Sequence, residues 1–184
     1  MNKNTEFWKN TTTNKYWAGA AMLSVTMLAL MPELPMDAII VELGCGQGRN
    51  LFVLEAQGYT NAIGVEINRE NIAQGKTVDY VGSKYRVIEA DVINYVKKME
   101  PVDLIITSSF SYLCGEPKIW KYIQEKCKYY LFIEPSQDTH LDPKSDLYKH
   151  VDYIAELDKM KVLERINRVN YDQYEAALMV RNET

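Results

Sequence analysis

Residues 38–51 read Ala-Ile-Ile-Val-Glu-Leu-Gly-Cys-Gly-Gln-Gly-Arg-Asn-Leu, and they leave the chain few ways to fold. An unbroken apolar run is the pattern of a strand buried on both faces of a parallel sheet. Three alternate glycines, Gly44, Gly46 and Gly48, then turn the chain, and residues 50–57 resume as a helix that Gly58 ends. Strand, glycine turn and helix together make a nucleotide-site design. Glycine takes φ > 0 and has no side chain to block a ligand, while the helix that follows offers free N–H groups and the positive end of its dipole.

The spacing is Glu-x-Gly-x-Gly-x-Gly, not the Gly-x-Gly-x-x-Gly of dinucleotide sites. A second apolar strand, residues 62–65, ends in Glu66. An acid there can accept both ribose hydroxyls of an adenosine through charge-assisted hydrogen bonds of roughly 1.5–3 kcal/mol each. A third strand over residues 85–89 leads to Ala90-Asp91-Val92, where Asp91 can meet the adenine amino group. Three such sites at three consecutive strand ends are far more specific than the glycines alone.

Through Glu42-Leu43-Gly44-Cys45-Gly46-Gln47-Gly48, Gly64-Val65-Glu66-Ile67-Asn68 and Glu89-Ala90-Asp91-Val92, the chain resembles the class I S-adenosylmethionine-dependent methyltransferases. The resemblance covers residues 37–181. It implies a three-layer α/β, Rossmann-like fold with a seven-stranded, mostly parallel sheet whose last strand is antiparallel, and S-adenosylmethionine held at the carboxyl ends of the first four strands. Residues 1–184 are then one domain, with 1–36 an N-terminal helical lid segment and 37–181 the sheet core. The shorter pieces Glu6-Phe7-Trp8 and Gly64-Val65-Glu66-Ile67-Asn68 look like small methylases of bacterial nonulosonic-acid and other sugar pathways.

Composition fits one soluble globular domain: 184 residues, 47% hydrophobic and 25% charged. A net charge of −4 argues against a nucleic-acid partner, because phosphate binding wants a basic surface. Cys45, Cys114 and Cys127 are odd in number and lack paired metal spacing, so they read as free thiols in a reducing, cytoplasmic setting. The apolar stretch 18–31 is too short for a comfortable membrane span and reads as a core helix stopped before Pro32 and Pro35.

Further along, residues 68–76 form a helix capped by Asn68, and 92–99 a brief helix that Pro101 closes. The fourth strand, residues 102–106, passes into Thr107-Ser108-Ser109-Phe110-Ser111-Tyr112-Leu113. In the family this loop faces the transferable methyl group. It lacks the Pro-Pro-aromatic signature with which amino-methylating DNA enzymes hold a flipped base, and it lacks the aspartate of metal-dependent catechol-type enzymes, so no metal is expected. A helix over 116–126, a fifth strand over 129–133, a polar loop over 137–146, a helix over 148–157 and two closing strands, 161–169 and 174–181, complete the reading.

Roles follow from the resemblance. Gly44, Gly46 and Gly48 shape the turn beside the methionine part of the donor, with Cys45 a small filler beside the cofactor rather than a nucleophile, and Glu42 engages the donor's amino end directly or through water. Glu66 holds the ribose and Asp91 the adenine amino group. Ile67 and Val92 flank the ring, with ordinary core packing the alternative for both. Thr107 adds to the cofactor wall, Ser108, Ser109 and Tyr112 line the methyl-facing side, and His140 is the candidate general base. Asp138, His140 and Asp142 read as a turn-rich loop rather than a metal site, and His150 belongs to the helix beyond it. The expected activity is methyl transfer to a small-molecule acceptor, a hydroxyl first. An RNA or protein methyltransferase and a non-catalytic S-adenosylmethionine-binding protein are the other readings.

Overall fold

The computed structural model describes residues 6, 9, 20–79, 81–108, 119–135, 157–169 and 174–182. Helix α1 (Ala20–Leu30) is followed by β1 (Ile40–Leu43), α2 (Arg49–Ala56), β2 (Ala62–Glu66), α3 (Arg69–Gln74), a π-helical turn (Gly75–Asp79), β3 (Arg86–Glu89) and α4 (Val92–Lys98). Then come β4 (Val102–Ser108), α5 (Ile119–Lys126), β5 (Cys127–Pro135), β6 (Met160–Val169) and β7 (Tyr174–Arg181). The strands form one seven-stranded sheet in the order β3-β2-β1-β4-β5-β7-β6. Strands β1 to β5 are parallel, whereas β7 enters between β5 and β6 antiparallel to both. This is the α/β, three-layer, mostly parallel sheet that the resemblance implied, with the closing hairpin at one edge.

Two apolar layers cover the sheet. On one face Leu23, Met27 and Leu30 of α1, together with Leu51 and Leu54 of α2, pack on Ile40, Leu104, Ile106, Leu131 and Ile133. On the other, Val96 of α4 and Ile119, Trp120 and Ile123 of α5 pack on Val41, Leu43, Ile105, Tyr130 and Phe132. Neighbouring residues of a strand point to opposite faces, so every apolar residue of β1 and of residues 104–106 meets a helix. That is why these strands read as continuous apolar runs.

In α1, Leu23, Met27 and Leu30 recur at i, i+4 and i+7 and are buried, whereas Val25 on the far side is 60% exposed. Among the described residues no helix is long and apolar enough to cross a membrane.

Among the boundaries that differ from the sequence expectation, such as the fifth strand running over Cys127–Pro135 rather than 129–133, two bear on the site. Strand β4 runs on through Thr107 and Ser108, because both pair with flanking strands: Thr107 opposite Leu43 and Phe132, Ser108 opposite Ile133. The helix after Asn68 is α-helical only to Gln74 and then widens into the π turn.

Candidate active site

The strand order reverses between β1 and β4, and such a switch point opens a crevice at the carboxyl ends of the strands. The glycine turn lies there. Gly44, Gly46 and Gly48 have φ of 70°, 55° and 86°, all in the left-handed region. The turn is anchored to β2, since Gly44 N–H and Cys45 N–H both donate to the Val65 carbonyl, at 2.8 and 3.2 Å.

Glu66 adds a second anchor. One carboxylate oxygen accepts the Gly46 N–H at 2.9 Å and the other the Asn68 N–H at 2.7 Å, so the end of β2 is tied to the middle of the turn. Each oxygen carries two lone pairs, and acceptor capacity is left for a ligand. Burial pushes its pKa up, and the backbone N–H groups of Asn68, Gly46 and Ile67 pull it back. The sequence located this acid by position but gave no sign that it braces the turn.

Two further groups support the turn from outside, and the sequence reading assigned neither of them a role. A Cβ built on Gly75 would overlap the Gln47 carbonyl oxygen, so the π turn sits directly against the glycine-turn backbone. Widening of a helix by one residue is common at functional sites; here the widened turn begins at the glycine that makes the close approach. Tyr85 is buried, donates its hydroxyl to the same Gln47 carbonyl at 3.0 Å, and its ring lies 2.6 Å from where a Gly48 Cβ would stand. Lys76 donates its ammonium to the Tyr85 carbonyl and also lies 3.6 Å from the ring centroid. Tyr85→Phe is expected to cost about 1 kcal/mol, measured as a lower urea midpoint with an unchanged slope.

The other candidates fall into place as follows. Cys45 is a buried free thiol abutting Gly64, and burial pushes its pKa well up, so it fills space rather than acting as a nucleophile. Ile67 is half-buried at the end of β2. Asp91 caps α4, one oxygen accepting the Asn94 N–H at 2.9 Å. Val92 packs in the core beneath it. Thr107 is fully buried, and its hydroxyl pairs with that of Tyr130 at 2.7 Å, which leaves it no surface for a ligand. Ser109, Tyr112, Cys114, Asp138, His140, Asp142 and His150 lie outside the described residues. So does all of the N-terminal segment before α1 except Glu6 and Lys9.

Glu42 leaves the end of β1 toward the α1 and α2 side. Its Oε1 accepts the Asn50 amide at 2.7 Å, while its Oε2 is buried without a partner. Burial pushes its pKa up to about 7, against the lowering effects of Asn50 and Arg49. Gln47 Nε2 and Ser108 Oγ are likewise buried and unpartnered. Buried polar atoms are normally satisfied. Three orphans around one crevice, on the end of β1, the glycine turn and the end of β4, suit a polar ligand or the waters that accompany it. No group of three or more His, Cys, Asp or Glu able to hold a metal occurs among the described residues.

Comparison with known proteins agrees with this architecture. Residues 40–129, from β1 into β5, match a family model described as a methyltransferase domain. No curated protein sequence matches the chain. Among solved structures, N-methyltransferase NodS from Bradyrhizobium japonicum WM9 in complex with S-adenosyl-L-homocysteine superposes with a TM-score of 0.79 at 13% identity, covering 99% of this chain and 100% of that one. An S-adenosylmethionine-dependent methyltransferase from Clostridium acetobutylicum gives 0.59 at 15% identity, covering 89% and 92%. TehB from Haemophilus influenzae gives 0.63 at 18% identity, covering 97% and 67%. With the matched domain, the sheet order and the glycine turn in agreement, the chain carries a methyltransferase domain with the fold of S-adenosylmethionine-dependent methyltransferases.

Proposed function

We propose that this methyltransferase acts on a small-molecule acceptor, a hydroxyl first, with the donor spread along the ends of β1 to β4. The observation that carries the donor placement is the set of buried, unpartnered polar atoms, Glu42 Oε2, Gln47 Nε2 and Ser108 Oγ, around the glycine turn. In this reading the backbone of Gly44, Cys45, Gly46 and Gly48 approaches the methionine part and Glu42 answers its amino end. Glu66 takes the ribose hydroxyls with its remaining lone pairs. Asp91 uses the oxygen not committed to its helix cap for the adenine amino group, with Ile67 and Val92 beside the ring. Ser108, Tyr112 and His140 serve the acceptor side.

When bound, S-adenosylmethionine supplies a methyl group on a sulfonium, already activated toward in-line displacement. What the protein adds is chiefly alignment, roughly 7–11 kcal/mol, against about 3–5 kcal/mol from a positioned base. A rigid turn therefore matters more than the identity of the base. The net charge of −4 supports a small acceptor over a nucleic acid. NodS carries the name of an N-methyltransferase, so amines belong in the acceptor panel beside hydroxyls.

Isothermal titration with S-adenosylmethionine and S-adenosylhomocysteine tests the donor site. Glu66→Ala is expected to weaken binding at least ten-fold, the loss of about one charge-assisted hydrogen bond; equal affinity removes Glu66 from the ribose. Labelled methyl donor offered to metabolite, sugar, amine, RNA and protein pools tests the acceptor, and transfer confined to the macromolecular pools overturns the small-molecule reading.

A further inference from the structure

Helix α1 reaches the donor crevice through a chain of side chains. Arg49 Nε donates to Ser24 Oγ at 3.0 Å, Ser24 Oγ donates to Asn50 Oδ1 at 2.6 Å, and Asn50 Nδ2 donates to Glu42 Oε1 at 2.7 Å. Ser24, Asn50 and Glu42 are 5%, 3% and 3% exposed, so solvent does not compete for the two bonds among them. We propose that Ser24 is a positioning residue for donor binding, acting through Asn50 to fix which oxygen of Glu42 is free to meet the donor. The proposal rests on the donor-site reading above.

The donors and acceptors along this chain set its direction. A guanidinium only donates, so the serine oxygen accepts from Arg49, and the serine hydroxyl donates to the Asn50 carbonyl. That holds the Asn50 amide with its NH2 toward Glu42, and Oε1 must accept. With Glu42 ionised, a flipped amide would set two acceptors, Asn50 Oδ1 and Glu42 Oε1, against each other, and in either charge state it would take the Asn50 acceptor away from the serine hydroxyl. The acid proton, when present, therefore sits on Oε2, which is also the buried oxygen without a partner. A hydroxyl on α1 thus selects the oxygen of β1 that titrates and that can answer a cationic amino group.

The groups whose charge Glu42 feels are Arg49 from α2, which favours its anion, and Glu66 from β2, which opposes it. The Asn50 bond also favours the anion. Loss of the Ser24 hydroxyl frees the amide and weakens that bond, so the carboxyl keeps its proton to higher pH. Donor affinity, which needs the anion, then rises later along the pH axis.

The experiment is calorimetric titration of the full chain with S-adenosylhomocysteine from pH 6 to 8.5. It compares wild type with Ser24→Ala, Ser24→Val and Ser24→Thr, with a melting temperature for each; Thr and Val share a shape and differ in the hydroxyl. Expected is binding about ten-fold weaker at pH 7 for the Ala and Val variants, as for one lost buried hydrogen bond. Their midpoint of the affinity–pH curve should move upward, and Ser24→Thr should stay near wild type. Ser24→Ala with wild-type affinity and midpoint overturns the proposal. Equal impairment of Thr and Val overturns it as well, since packing rather than the hydroxyl is then at work. If the Val variant does not fold, the Ala and Thr pair decides. Wild type that fails to bind overturns the donor site itself, whereas wild type that binds beside unaffected Ser24 variants overturns only this inference.

Discussion

Gly75→Ala is expected to destabilise the protein by roughly 3 kcal/mol, the upper end of the overpacking range, and to weaken donor binding by roughly a hundred-fold if the same strain is borne by the site. The new methyl would overlap the Gln47 carbonyl oxygen, a backbone atom with no rotamer to escape into. The turn cannot yield cheaply either. On one side of Gln47, Gly46 is held by Glu66; on the other, Gly48 lies under the Tyr85 ring, whose hydroxyl bonds the Gln47 carbonyl itself. Gly82→Ala is the control. That glycine has φ +85° but nothing within 4 Å of its Cβ position, so about 1 kcal/mol of backbone strain should appear with donor affinity intact. Urea denaturation and calorimetry on both variants give the comparison, and a Gly75→Ala protein with wild-type stability and affinity would show that the π turn does not brace the site.

Gly75 also shows why part of this molecule was not legible in its sequence. A glycine amid residues that read as a helix signals only a tolerated weak point, and what demands it is a carbonyl in another element. Tyr85 likewise read as the first residue of a strand, and Ser24 as one polar residue in an apolar helix. The roles of both come from side chains far away in the chain, Gln47 and Asn50. The parallel strands were legible because each apolar residue meets a helix, and the closing hairpin because strand patterning is local. Thr107 and Ser108 misled for the opposite reason. Their polarity suggested a loop, whereas pairing with β1 and β5 draws them into the sheet and buries Thr107 against Tyr130. Of the candidate site, the sequence marked Glu42 and Glu66 as acids at strand ends. It did not show that Glu66 also ties the turn together, nor that one oxygen of Glu42 is committed to Asn50.

Glu42→Gln should raise stability and lower donor affinity at the same pH, a combination that ordinary damage to the fold does not produce. Burial holds the Glu42 carboxyl up to about 7 in the folded chain, against 4.5 for the free group. The folded state therefore binds the proton more tightly than the unfolded one. Stability from this site is fully present below 4.5 and is lost as pH rises through about 7, by roughly 3 kcal/mol in total. Glutamine keeps an oxygen for Asn50 and carries no charge, so it escapes the loss, while its amide replaces one unpartnered atom with another. The melting temperature of the variant should match or fall slightly below wild type at pH 4.5, overtake it as pH rises, and exceed it by several degrees at pH 8. Donor affinity should run the other way, about ten-fold weaker than wild type at pH 8 for one lost charge-assisted bond and nearly equal at pH 5.5, where wild type has also lost its charge. A variant less stable than wild type at pH 8 would mean that the buried anion is fully compensated in the folded chain, with Arg49 and Asn50 outweighing both burial and Glu66.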